Sequence, residues 1–163
     1  MNILIIATKD EAKKVKKPAN TKIILTGMGE FNVVKTISKA ILKKQITAKD
    51  KIFNIGYCGS NISPVGTVHQ VAVSASEIKS NFVEYKEIKL CKNGAKCYSS
   101  NNFVTVTKNK GIFDMELYTI ANIFPKVKAI KIVSDSLSMK EYHAVSVEDA
   151  WKEANKMLAK FCK

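Results

Sequence analysis

Gly111-Ile112-Phe113-Asp114-Met115-Glu116-Leu117-Tyr118-Thr119-Ile120-Ala121 is followed closely by Ile132-Val133-Ser134-Asp135-Ser136. The first stretch reads as a helix carrying Glu116 at its apolar start, beside Met115. The second reads as a buried strand with Asp135 just past its end. A buried helix start and the C-terminal end of a strand are two places where α/β proteins gather functional groups. Two acids delivered to one cleft can divide the work, one holding a hydroxylated substrate and the other carrying a proton. On local pattern alone, the same acids also fit an ordinary helix start favoured by the helix dipole.

Outward from these stretches, Ile- and Val-rich runs predict strands at 2–7, 22–26, 52–56, 67–73, 82–89, 103–106 and 127–133. Helical spacing predicts helices at 9–17, 31–44, 112–124 and 146–161. In the second helix Phe31, Val34, Ile37, Ile41 and Leu42 form the expected inner stripe. In the last, Val147, Ala150, Trp151, Ala154, Met157, Leu158 and Phe161 do so, with Ser146 and Asp149 as a capping-type start. Strands alternating with helices predict a three-layer α/β sandwich around a mostly parallel or mixed sheet. At 163 residues the chain fits one domain, residues 1–163, with a genuine core.

Composition narrows the function classes. No apolar run approaches the roughly 20 residues of a membrane helix, and Met1–Ala7 reads as a strand lacking the basic leader and cleavage site of a signal peptide. A cytoplasmic location and no membrane partner are therefore expected. Cys58, Cys91, Cys97 and Cys162 show no CxxC pairing and there are 2 histidines, so free thiols are expected and no metal site. All 27 basic residues are lysine, and the net charge is +13. That charge attracts polyanions. The lysines are spread along the whole chain without interleaved aromatics, however, which argues against a nucleic-acid partner. Without arginine, the chain has no bidentate guanidinium clamp for phosphate.

Two strand-to-loop junctions carry glycines: Thr26-Gly27-Met28-Gly29-Glu30 and Gly56-Tyr57-Cys58-Gly59-Ser60-Asn61. Such glycines let backbone N–H groups approach a ligand, and they equally serve tight turns. Neither junction completes GxGxxG, and GxxxxGK[ST] is absent, so no nucleotide cofactor is expected.

The order of these segments resembles the nucleoside phosphorylase / methylthioadenosine–adenosylhomocysteine nucleosidase superfamily nearly end to end. "ILIIATKDEAKKV" looks like the first strand and the loop bearing a catalytic Glu, here Glu11; on position alone Glu11 is equally a first-turn helix acid. "LTGMGEFNVVKTISKAI" is similar to the glycine-bearing turn and helix, with Gly27 at the turn. "IFNIGYCGSNISPVGTVHQVAVS" resembles NxGxAGxxxxxxxGDxVV, with Gly56, Gly59 and Gly66 in register and Tyr57 and Cys58 between. "CYSSNNFVTV" looks like the purine-side segment, "FDMELYTIANIF" like the ribose-binding MExxAxA helix, and "IKIVSDS" like the strand carrying the catalytic Asp.

The resemblance implies cleavage of an N-glycosidic bond through an oxocarbenium-like sugar, as in other glycoside hydrolysis. Asp135 would protonate the leaving purine, held by Ser134. Glu116 would accept hydrogen bonds from ribose hydroxyls above Met115, Phe103 would stack on the base, and Glu11 would orient or deprotonate the attacking water. The family also implies a homodimer or higher homo-oligomer. Family members are usually longer, mainly between Lys17 and Lys22 and between Ser76 and Cys97. Tyr57 replaces a small residue and would crowd phosphate or the water; Lys131 stands for an Arg, Thr67 for the Asp of the GD pair, and Asn101 and Asn102 where an acid often stands. The missing arginine favours a nucleosidase using water over a phosphorylase using phosphate. The N-terminal pattern and the Gly56–Ser60 loop also resemble futalosine hydrolases. A catalytically degenerate nucleoside-binding homologue is the third reading.

Overall fold

Asn2-Ile3-Leu4-Ile5-Ile6 is buried at every position, because a strand without polar alternation must be covered on both faces. It forms β1 (Asn2–Ile6) in a computed structural model that describes residues 1–78, 80 and 84–162. Ile3 and Ile5 enter one core, with Val33, Ile37, Leu117 and Ile120; Leu4 and Ile6 enter the other, with Ala150, Trp151, Ala154 and Leu158. The sheet thus lies between two helical layers.

In chain order, α1 (Lys9–Lys14), β2 (Thr21–Leu25), α2 (Glu30–Leu42), β3 (Lys51–Ser60), β4 (Val68–Ser76), β5 (Ile88–Lys89), β6 (Ala95–Ser99), β7 (Ile112–Asp114), α3 (Leu117–Ile123), β8 (Lys128–Asp135), α4 (Met139–Ala144) and α5 (Glu148–Phe161) follow β1. The eight strands form one mixed sheet. β1 runs parallel to β2 and β3, and β3 parallel to β8. β4 is antiparallel to β8 and parallel to β6; β6 is parallel to β7, which returns antiparallel to the end of β3. β3, β8, β4, β6 and β7 therefore close on themselves as a ring, with β1 and β2 extending it beyond β3. The fold is the expected three-layer α/β sandwich with a mixed sheet.

Several element boundaries differ from the sequence pattern. The expected helix 112–124 is a strand, a two-residue link and a helix. Ile112–Asp114 pairs with β3 and β6, and the Asp114 carboxylate accepts the Leu117 N–H at 3.0 Å, starting α3 only there. The expected strand 103–106 carries no regular structure, because both sides of β6 are already taken by β4 and β7. β6 itself escapes the pattern, since its inward residues, Cys97 and Ser99, are small. The expected strand 82–89 is reduced to Ile88–Lys89; positions 82 and 83 lie outside the described residues. On α2 the buried residues are Val33, Ile37 and Ala40, whereas Phe31 is 76% and Leu42 82% exposed. The bulkier hydrophobic stripe thus faces outward. The N-cap of α5 is Val147, which makes no side-chain cap hydrogen bond, and not the expected Ser146.

Candidate active site

Three carboxylates from three separate segments converge beyond the strand ends. Glu11 comes from a capping box the sequence spells as Thr8-x-x-Glu11. Its Oε2 accepts the Thr8 N–H at 2.9 Å and the Thr8 hydroxyl at 2.8 Å, while Thr8 Oγ1 accepts the Glu11 N–H. The other oxygen, Oε1, accepts the Tyr57 N–H at 2.9 Å. Glu11 is thus both the first-turn acid of α1 and a buried wall of the site.

Glu116 occupies the N-cap position of α3 and accepts the Gly29 N–H at 2.8 Å. Gly29 sits at φ +86°, a backbone conformation that L side chains rarely adopt. Burial, reinforced by the charge of Asp114, pushes the Glu116 carboxyl up from 4.5 to about 7. Beneath it, Lys131 is fully buried in β8 and pairs with Asp114 Oδ2 at 2.5 Å. Burial opposes the ammonium, but the Asp114 carboxylate outweighs it and holds Lys131 above its ordinary range. Asp114 also takes the Ser99 hydroxyl at 2.5 Å, tying β6, β7 and β8 together. The lysine standing where the resemblance places an arginine is therefore committed to an internal ion pair.

Asp135 ends β8. Its Oδ1 accepts the N–H groups of Leu137 and Ser138 at 3.0 and 3.3 Å, and its Oδ2 lies 2.7 Å from the Ser134 hydroxyl. Burial raises its carboxyl above the ordinary 3.8, although these three donors pull the other way. Such an acid is suited to protonating a leaving group.

The glycines of β3 have a different use from the one their pattern suggests. A Cβ on Gly56 would stand 2.8 Å from Glu11 Oε1, and one on Gly59 would stand 2.8 Å from Asp135 Oδ1. They clear space for two carboxylates. The β3–β8 register slips between Cys58 and Gly59, just where Asp135 comes alongside.

The acids line a cavity of about 260 Å³, together with Phe103, Met115, Ser134, Tyr57, Cys58 and Gly59. Nine of the ten residues singled out by sequence thus meet at one place. Gly27 is not on its lining: its N–H is taken by the Ala7 carbonyl at 2.9 Å. The Tyr57 hydroxyl is turned toward α5 and accepts the Trp151 indole N–H at 2.9 Å, so the phenol group is docked on Trp151 rather than aimed between the acids. The Cys58 thiol is raised by burial and stays protonated. Among the described residues the lining has no lysine, and His143 is its one side chain able to become cationic. Sequence reasoning missed Met28, Met139, Tyr142 and His143. The last three come from α4, whose start is marked by Ser138 accepting the Glu141 N–H.

The fold is similar to that of solved 5′-methylthioadenosine/S-adenosylhomocysteine nucleosidases and of a futalosine hydrolase. The Streptococcus pneumoniae 5′-methylthioadenosine/S-adenosylhomocysteine nucleosidase, solved with a transition-state inhibitor, superposes with a TM-score of 0.76 at 15% identity, over 98% of this chain and 97% of that one. The Helicobacter pylori futalosine hydrolase gives 0.77 at 12% identity over 98% and 96%. The Arabidopsis thaliana 5′-methylthioadenosine nucleosidase gives 0.76 at 14% over 98% and 94%. No family model and no curated protein matches the sequence.

Proposed function

We propose that this chain hydrolyses the N-glycosidic bond of a purine-type nucleoside, with water as the nucleophile. The observation that carries this reading is the convergence of Glu11, Glu116 and Asp135 on one cavity with Phe103 and Met115. Asp135 donates a proton to the departing base, drawing electrons out of the glycosidic bond as the sugar becomes oxocarbenium-like. Ser134 holds the acid in place. Glu116 accepts hydrogen bonds from ribose hydroxyls over Met115, and Phe103 stacks on the base. Glu11, fixed by Thr8 and Tyr57, orients the water and takes its proton as the new C–O bond forms.

Hydrolysis is favoured over phosphorolysis because the cavity wall is acidic. The carboxylates repel a phosphate dianion, and the nearby Lys131 ammonium is already spent on Asp114. We read residues 1–163 as a single such domain, supported by one sheet that draws strands from Asn2 to Asp135. The outward Phe31, Val34, Ile41 and Leu42 of α2 support a homodimer or higher homo-oligomer. Four free cysteines fit a reducing cytoplasm. The test is release of free base from a panel of purine and pyrimidine nucleosides, including methylthioadenosine, with and without phosphate. Release independent of phosphate is expected. Release only with phosphate would make the chain a phosphorylase, and ligand-induced thermal stabilisation without release would make it a degenerate binding homologue.

A further inference from the structure

None of the residues Met139–Ala144 of α4 is buried, and Val145 at its C-terminal end packs against the core. The helix is also held by its cap, by Glu141 accepting the Ser136 N–H and hydroxyl at 2.7 and 2.6 Å, and by one ring. That ring is Tyr142. It lies 5.8 Å from Phe103 on one side and meets Tyr57 edge-on at 6.4 Å on the other. Tyr57 in turn contacts Trp151, so a continuous aromatic row runs from the cavity to α5. Tyr142 lines the cavity, yet its hydroxyl makes no hydrogen bond to any described residue. Burial comes first among the influences that keep this phenol protonated; the negative charges follow, Glu11 and Glu116 ahead of Asp135. The hydroxyl is therefore a neutral donor on the lining that Tyr142 shares with the three acids.

Resting on the nucleosidase reading above, we propose that Tyr142 contacts the substrate directly, its ring closing the cavity beside Phe103 and its hydroxyl donating to a hydroxyl oxygen of the sugar. Where its acids are ionised, such a sugar site is short of donors. Glu11 and Glu116, once ionised, accept hydrogen bonds only, so a sugar hydroxyl giving its proton to either still has lone pairs to satisfy. Tyr142 supplies the matching O–H. It makes the sugar part of the ligand a determinant of specificity alongside the base.

The test measures calorimetric affinity and base release for adenosine and its 2′-, 3′- and 5′-deoxy analogues, using wild type, Tyr142→Phe and Tyr142→Ala. Tyr142→Phe should melt like wild type and bind adenosine about three- to tenfold more weakly, the range for one neutral hydrogen bond. That loss should vanish for the one analogue lacking the contacted hydroxyl. Tyr142→Ala should lose more, because the ring goes too. Equal affinities of wild type and Tyr142→Phe, or the same loss for all four ligands, would overturn the contact. Base release with an inert Tyr142→Phe change overturns the contact and leaves the nucleosidase reading intact. The expected binding pattern without base release does the reverse, and no binding of any of the four by wild type overturns both.

Discussion

Replacing Glu116 with Gln keeps the acceptor for the Gly29 N–H and removes the buried charge, so it isolates what that charge costs the fold. In the folded protein the carboxyl titrates near 7, against an ordinary 4.5, because it is buried beside Asp114. At about 1.4 kcal/mol per pH unit, that separation is worth about 3 kcal/mol. The direction follows from which form folding prefers. Glu116 contributes its full stability below pH 4.5, where it is neutral in both states, and loses it as pH rises through about 7. Glu116→Gln carries no such dependence. Urea unfolding of both proteins at half-unit steps from pH 4.5 to 8 should therefore show the variant gaining on wild type by about 3 kcal/mol, most of it before pH 7.5. A difference between the two that stays constant across that range would refute the reasoning, since Glu116 would then ionise in the fold as freely as in water.

Three further predictions test the site's parts. Asp135→Asn should cut base release by about 10²–10⁴-fold with the melting temperature unchanged, as loss of a proton donor does; turnover at the wild-type rate would remove Asp135 from the chemistry. Gly56→Ala places a methyl 2.8 Å from Glu11 Oε1, so turnover should fall at least tenfold while the sheet persists by circular dichroism. Unchanged turnover would show that the Glu11 position is unimportant. Phe31→Glu with Leu42→Glu should leave a monomer by sedimentation if α2 is the oligomer face, and an unaltered sedimentation coefficient would place the interface elsewhere.

The layers and most strands were legible because β1, β3 and β8 carry Ile-, Val- and Phe-rich stretches that need cover on both faces. The acids were legible through the helix start and strand end that carry them. What the sequence hid has physical causes. Asp114 sits in an apolar stretch whose spacing is also helical, and the hydrogen bond that starts α3 at Leu117 depends on side-chain geometry that periodicity does not record. Lys131 looks like any exposed lysine until Asp114 arrives from β7, 17 positions earlier in sequence, to neutralise it. The α2 stripe misled because large residues dominate a helical pattern, whereas the sheet admits the narrower face of Val33, Ile37 and Ala40. α4 was invisible because none of its residues is buried, and an apolar pattern is all such a reading can follow.

The closed ring of strands has a consequence for how the chain is made. β8 is the last strand in sequence, yet it lies between β3 and β4, whose connection is among the shortest in the sheet. During synthesis the ring stays open until residue 135 has emerged, leaving the flanks of β3 and β4 unpaired and apolar on a nascent chain. β8 pairs with both of these edges and carries Lys131 to Asp114 and Asp135 to Gly59. Closing the ring and adding Asp135 to the other acids both depend on β8, so a chain stopped short of that strand has neither.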